Sequence, residues 1–307
     1  MQTFHEARVE PADIDELGHM NVRVYARHAA AAVHKLLAAM GLDADALAAQ
    51  QALVFQPDCH TLFRREQLLG NPLGVRAGVL AVQPDCIDTY LELHNRDSDQ
   101  LAATFRKEVR LVARADLAPL AFAQGVCDGA EKLAIEWPAH GKPRSLPLDP
   151  VRRDLTVADM QREGVVSRFQ GYEVTAELST PDGFMDLSGA PWFSYSAEPV
   201  PREPAAADAE DAWFSSDSHM AVATLESRHS VVDIPRTGEI VVTYTAIIDV
   251  GRKIMRFAHW SFDEKSGRLL AILNEVGIGL NLQTRRSCEF PPETRAKLMA
   301  QCHPALG

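Results

Sequence analysis

Long apolar runs, an excess of positive charge and paired cysteines are all missing from this sequence. No stretch of its 307 residues approaches the ~20 consecutive apolar residues needed to cross a bilayer. The charged start, MQTFHEARVEPADIDE, lacks the apolar segment of a secretory signal. The 31 Lys and Arg are outnumbered by 42 Asp and Glu, and the net charge of -11 argues against a general affinity for nucleic acid or anionic membranes. We therefore expect a soluble cytoplasmic protein without a nucleic-acid or membrane partner.

Common cofactor and metal motifs are missing as well. The five cysteines are scattered without a C-x-x-C pair, so neither a disulfide framework nor a zinc site is indicated. The chain has no G-x-x-x-x-G-K-[ST] phosphate loop, no G-x-S-x-G nucleophile elbow and no H-E-x-x-H metal helix. We expect no metal ion and no resident cofactor.

Two parts of the chain repeat one pattern of strands and turns. Residues 70–112 and 238–280 each show the alternation of three long strands, and Gly70 lies 168 positions before Gly238. A second match pairs residues 18–21 (GHMN) with residues 183–186 (GFMD) at an offset of 165, so a small insertion separates the two matches. We interpret the chain as a duplicated unit. Its boundaries are an N-terminal copy over 1–130, a proline-containing linker over 131–165 and a C-terminal copy over 166–307.

One helix is clearly predicted in the first copy, from Asn21 to Met40. Apolar residues recur there at spacings of three and four, Asn21 is a good N-cap, and Gly41 suits the left-handed conformation that ends a helix. A long helix followed by a strand meander predicts an α+β unit with the sheet wrapped on the helix. Prolines interrupt the corresponding region of the second copy, where we expect the helix to be short, displaced or rebuilt around residues 209–226.

The residues directly before this helix, from Asp13 to Asn21, have a chemical logic. The first amides of a helix lack intrahelical partners and carry partial positive charge, so a carbonyl bound there is polarised and an oxyanion is stabilised. Asp15 lies a few residues upstream, where it can act as nucleophile or as general base for water. The structural alternative is that Asp13 and Asp15 only favour the helix dipole and that Asn21 is merely a cap.

The motif D-x-D-E-L-G-H-M-N-x-x-x-Y, over residues 13–25, resembles that of the hotdog-fold acyl-CoA thioesterases of the 4-hydroxybenzoyl-CoA thioesterase-like superfamily. The strand HTLFRR at 60–65 and the segment LAAT at 101–104 agree with it. The resemblance implies two hotdog units that form an intrachain pseudo-dimer. It also implies an acyl-CoA substrate, with coenzyme A as part of the substrate and no other cofactor.

The resemblance assigns roles to eight residues. The family's catalytic aspartate falls on Asp15, and its carbonyl-polarising amide falls near Asn21 or Val22. For three residues a structural role stays open: His19 contributes its ring or only its backbone amide, Tyr25 lines the acyl pocket or packs in the core, and His60 binds substrate or bonds a backbone carbonyl. The expected catalytic residues are Asp15, Asn21 and His19, and the expected substrate-binding residues are Gly18, Met20, Val22, Tyr25 and His60.

Basic pairs are candidates for the phosphates of coenzyme A, although each also suits an ordinary solvated position. These pairs are Arg64–Arg65, Arg106–Lys107, Arg252–Lys253 and Arg285–Arg286.

In the second copy Thr180 stands where the first has Asp15, and Phe184 stands where it has His19. Since the family forms its active sites where two units meet, the resemblance implies one site with the second copy as a degenerate wall, and a homo-oligomer of such pseudo-dimers is compatible with it. Two other functions stay open: a hotdog hydratase or dehydratase of enoyl-CoA, and a non-catalytic acyl-CoA-binding protein.

Overall fold

The computed structural model describes residues 1–15, 17–165, 167–186 and 219–307. The chain divides into two compact units. Among the described residues, 1–143 and Asp186 belong to the first unit, and 144–185 and 219–307 belong to the second. No helix in these ranges combines the length and the apolar content needed to cross a membrane.

The first unit is built around one long helix, α1 (Val22–Ala39). The Asn21 side chain caps it by accepting a hydrogen bond from the Arg23 amide, and Gly41 follows its end with φ of +88°. Ala29 and Ala32 are fully buried in its middle, where small side chains let the sheet approach closely. The predicted helix and both of its end signals are confirmed.

The sheet of the first unit is antiparallel and packs its apolar face on α1. In space its strands run in the order β1, β3, β4, β5, β2, and the short β6 pairs with β5. Two short helices complete the unit, α2 (Ala44–Ala49) and α3 (Gln124–Glu131). The strands are β1 (Gln2–Arg8), β2 (Ala52–Phe63), β3 (Pro72–Gln83), β4 (Cys86–Asn95), β5 (Gln100–Ala113) and β6 (Pro119–Leu120).

The second unit has the same strand order. Its sheet runs β7, β9, β10, β11, β8, and the short β12 pairs with β11. These strands are β7 (Ser167–Glu173), β8 (Met220–Val231), β9 (Ile240–Val250), β10 (Ile254–Asp263), β11 (Leu269–Asn281) and β12 (Arg286–Ser287). Helices α4 (Val157–Arg162) and α5 (Pro292–Ala300) also belong to this unit.

The helix expected around residues 209–226 is wrong in its second part, because β8 begins at Met220. The run of β-branched and small residues in MAVATLESRHSV pairs with β11, so sheet pairing prevails over the helical expectation. The first part of that prediction, 209–218, lies outside the described residues.

The second unit contains a turn of the same conformation as the turn that precedes α1 in the first unit. Gly18 and Gly183 both have φ of +80°. The Asp15 amide donates to the His19 carbonyl at 2.9 Å, and the Thr180 amide donates to the Phe184 carbonyl at 2.7 Å. One backbone conformation is thus made by two different sets of side chains.

Candidate active site

A tight turn over residues 15–20 carries the predicted site into the first turn of α1. The amide of Gly18 donates to the Asp15 carbonyl at 3.0 Å, and the positive φ of Gly18 is a conformation that other residues rarely adopt. Met20 anchors the turn, since its side chain is buried in the core and its amide donates to the Gln67 carbonyl at 2.7 Å. Gly18 and Met20 therefore shape the site and fix it to the chain after β2.

The Asp15 carboxylate is held through one oxygen. Oδ1 accepts hydrogen bonds from the Leu17 amide at 2.9 Å, from the His19 amide at 3.4 Å and from His19 Nδ1 at 2.9 Å. No donor to Oδ2 is found among the described residues, and the side chain is 18% exposed. The carboxylate is fixed in orientation while its second oxygen stays open to a reactant.

The His19 ring lies between two carboxylates. Its Nδ1 bonds Asp15, and its Nε2 lies 3.7 Å from Oε1 of Glu66. A carboxylate thus faces each nitrogen, and since a neutral ring donates from one nitrogen at a time, Glu66 competes with Asp15 for the ring N–H. Glu66 is a site residue that sequence reasoning missed, because it lies 47 positions after His19 in a loop that carries no motif.

The start of α1 presents an open amide. Asn21 Oδ1 takes the Arg23 amide at 3.0 Å, while the Val22 amide has no acceptor in the described part of the chain. The Val22 side chain is 45% exposed, so this end of the helix is open to a ligand. The Asn21 side chain acts as a cap, so its predicted catalytic part reduces to placing the Val22 amide.

Asp13, in contrast to Asp15, is a structural residue. It is buried, pairs with Arg27 at 2.5 Å and accepts the Glu10 amide at 2.9 Å. Its carbonyl also accepts the Asn21 amide at 2.9 Å. The structural reading of the acidic pair therefore holds for Asp13.

Tyr25 forms the inner wall behind the turn. It is buried, its hydroxyl donates to the Arg65 carbonyl at 2.9 Å, and its ring packs edge-on against Phe63 at 5.5 Å between centroids. Burial raises the pKa of the Tyr25 hydroxyl, and the negative charges of Glu66 and Asp15 raise it further. Tyr25 is thus a core residue that adjoins the Asp15 turn.

His60 is not brought to this site. On β2 the side chains of Cys59 and Phe63 pack against the core cluster that contains α1. Because side chains alternate along a strand, His60 points to the opposite face of the sheet. We leave His60 out of the site.

The alternation along β5 also separates Arg106 from Lys107. Arg106 bonds Asp88 at 2.8 Å and Asp58 at 3.3 Å, and Lys107 is buried. The expectation that these two residues form a solvated basic pair is wrong.

A family model described as the thioesterase-like superfamily matches residues 9–130. The match covers the Asp15 turn and strands β2 to β6 of the first unit. Comparison with curated proteins gives no match.

Solved structures share the fold of the chain. An oleoyl thioesterase (putative) from Lactobacillus plantarum is 10% identical, with 90% of this chain and 96% of that chain covered and a TM-score of 0.64. A 12:0-ACP thioesterase from Umbellularia californica is 9% identical, with 90% and 93% covered and a TM-score of 0.63. An acyl-ACP thioesterase from Bacteroides thetaiotaomicron is 11% identical, with 90% and 97% covered and a TM-score of 0.61. At these identities the likeness establishes the fold, which is a double hotdog.

In the second hotdog unit the copy of the turn has lost the acid. Thr180 replaces Asp15, and Phe184 replaces His19 as a buried apolar residue with the Arg236 guanidinium 5.2 Å from its ring centroid. Thr180 and Phe184 offer neither a carboxylate nor an imidazole. Of the two turns, that of the first unit carries the carboxylate and imidazole pair of Asp15 and His19.

Proposed function

We propose that this protein is an acyl-CoA thioesterase, which hydrolyses a thioester to a free acid and coenzyme A, with coenzyme A as part of the substrate and no other cofactor. The match of residues 9–130 to the thioesterase-like superfamily model supports this function. The observation that carries it is the Asp15 carboxylate, which is fixed through Oδ1 and open at Oδ2, in the turn that leads to the open Val22 amide at the start of α1.

The thioester carbonyl oxygen accepts a hydrogen bond from the Val22 amide, which lies at the positive end of the α1 dipole. Oδ2 of Asp15 then either attacks the carbonyl carbon or takes a proton from the attacking water. The carbon–sulfur bond breaks, coenzyme A leaves as a thiolate and takes up a proton, and water supplies the hydroxyl of the acid. His19 holds Asp15, Asn21 holds the helix start, and Gly18 and Met20 hold the turn.

The remaining features of the proposal concern the context of the reaction. We place the protein in the cytoplasm, and its five free cysteines support a reducing compartment. The matching strand order of the two units supports a tandem duplication. We expect no nucleic-acid or membrane partner, and a homo-oligomer of the fused pair stays compatible with this function.

The test is release of free thiol from a panel of short, long, aromatic and quaternary-amine acyl-CoAs. Asp15→Asn should lower kcat by about 10²–10⁴-fold, the range for loss of a positioned acid or base. Asp182→Asn makes the same chemical change at an exposed position and should leave turnover unchanged. Wild-type turnover in Asp15→Asn would overturn the assignment. Water addition without thiol release would indicate a hydratase, and binding without either reaction would indicate a binding protein.

A further inference from the structure

A lysine interrupts the apolar face of β5. Phe105, Val109 and Leu111 on this face belong to the core cluster that contains α1. By strand alternation Lys107 shares that face, and it is only 6% exposed. Burying an ammonium group is costly unless an anion or several hydrogen bonds compensate it.

The compensation present within the first unit is incomplete. Lys107 Nζ donates to Gln56 Oε1 at 2.9 Å, and the described residues contain no carboxylate within 4.0 Å of it. Burial lowers the pKa of His34 on α1, the negative charge of Asp186 raises it and the positive charge of Lys107 lowers it, so both charged groups lie near the imidazole. Lys107, with a neutral acceptor on its ammonium, thus has His34 as a neighbour, and the Asp186 carboxylate also lies near that imidazole.

Two elements of the first unit, β2 and α1, run from the neighbourhood of Lys107 to the Asp15 turn. Cys59, which pairs with Lys107, lies four residues before Phe63 on β2, a distance of about 13 Å in a strand. His34 lies nine residues after Tyr25 on α1, about 13 Å in a helix. Since Tyr25 and Phe63 are in contact beside the Asp15 turn, both routes give the same length.

On this face of β2 Cys59 and Phe63 are half-buried, and the small side chain of Thr61 between them is buried. An acyl chain whose carbonyl lies at Val22 and which follows β2 would bring its far end to Lys107. The polar group that an ammonium and an imidazole favour at that end is a carboxylate.

We propose that Lys107, with Gln56 and His34, binds a carboxylate at the far end of the acyl chain, so that the preferred substrates are CoA thioesters of medium-length dicarboxylic acids. This proposal rests on the proposed thioesterase function and names its substrate class. It assigns Lys107 to specificity and leaves the reaction at Asp15 unchanged.

The experiment compares kcat/KM for matched pairs of substrates: hexanoyl- and adipyl-CoA, octanoyl- and suberyl-CoA, decanoyl- and sebacyl-CoA. The wild type should prefer the carboxylated member of at least one pair. Lys107→Met, which keeps the volume and removes the charge, should lower kcat/KM for that member by about 10–100-fold, the range for one charged hydrogen bond. Turnover of the unsubstituted partner should stay the same or rise.

Two further variants keep the test decisive. Lys35→Met removes a lysine from an exposed position of α1 and should leave kcat/KM unchanged for both the carboxylated and the unsubstituted substrates. Gln56→Glu places a carboxylate beside the ammonium, retains Lys107 and should compete with the substrate, so it should also abolish the preference. Thermal unfolding of each variant separates loss of fold from loss of specificity.

The possible results distinguish the two proposals. Thiol release from no acyl-CoA would overturn the proposed function. Thiol release with equal kcat/KM for both members of every pair in the wild type, or an unchanged preference in folded Lys107→Met, would overturn the carboxylate site alone. Protection of the wild type against thermal unfolding by free suberate, lost in Lys107→Met, would support the site independently of turnover.

Discussion

His19 offers a sharp test of how Asp15 is held. Replacing it with alanine removes one of three donors to Asp15 Oδ1, namely Nδ1 at 2.9 Å, and leaves the Leu17 amide and the backbone amide of residue 19 in place. A hydrogen bond to a charged group contributes about 1.5–3 kcal/mol. Both side chains are partly exposed, so we expect the lower end, about 1.5 kcal/mol, which corresponds to an about tenfold lower kcat.

His19→Asn is the matched variant, because the amide nitrogen of asparagine can take the place of Nδ1. We expect His19→Asn to keep most of the wild-type kcat and His19→Ala to lose about tenfold, with similar KM values. The assay is thiol release from an acyl-CoA over a range of pH values, together with thermal unfolding as a control for the fold.

Glu66 completes this test, since we expect it to act through His19. Because Glu66 competes with Asp15 for the ring N–H, Glu66→Gln should raise kcat in the wild-type background and have no effect in His19→Ala, and this double-mutant cycle measures the coupling energy. The reasoning is refuted if His19→Ala keeps wild-type kcat. It is equally refuted if His19→Asn is as impaired as His19→Ala, because the bulk of the ring would then matter more than its donor.

Two further predictions concern stability and pH. Burial, with the neighbouring charge of His5, lowers the pKa of His28 from 6.5 to about 4. The unfolded chain therefore binds the extra proton first, and the free energy of unfolding falls by up to about 3 kcal/mol as the pH drops from about 6.5 to 4. Urea unfolding at pH 7.5 and 5 should show a smaller loss of stability for His28→Gln than for the wild type. Burial raises the pKa of Glu92, but hydrogen bonds from His94 and His140 outweigh burial and lower this pKa to about 2. The stability that the ionised Glu92 adds is therefore present above pH 4.5 and is lost toward pH 2. Glu92→Gln should flatten that acid limb, and an unchanged acid limb would contradict the role of these bonds.

The first helix and the strands β3 to β5 and β9 to β11 were predictable because their signals are local. The cap at Asn21, the left-handed Gly41 and the alternation in β3 to β5 each act within a few residues. The pairing of Glu66 with His19 was not predictable, since it depends on how the loop after β2 meets the turn before α1. No spacing in the sequence encodes that contact.

Strand parity explains two wrong expectations. Whether His60 faces α1 depends on a single position, and its neighbours Cys59 and Phe63 take the inner face. The Arg106–Lys107 pair was expected to be solvated because the two residues are adjacent and basic. The apolar residues two positions to either side of Lys107 already indicated that it shares their face.

The two turns bear directly on whether Asp15 is only structural. The turn of the second unit reproduces the φ of the glycine and the backbone hydrogen bonds of the first, although Thr180 and Phe184 stand in place of Asp15 and His19. The turn therefore forms without a carboxylate, and the structural work at the helix start is done by Asp13 and the Asn21 cap. Since neither the turn nor the cap requires Asp15, its fixed orientation and open oxygen support the proposed catalytic role. The second unit, which has no acid at this position, keeps the same backbone and so can diverge without cost to its fold.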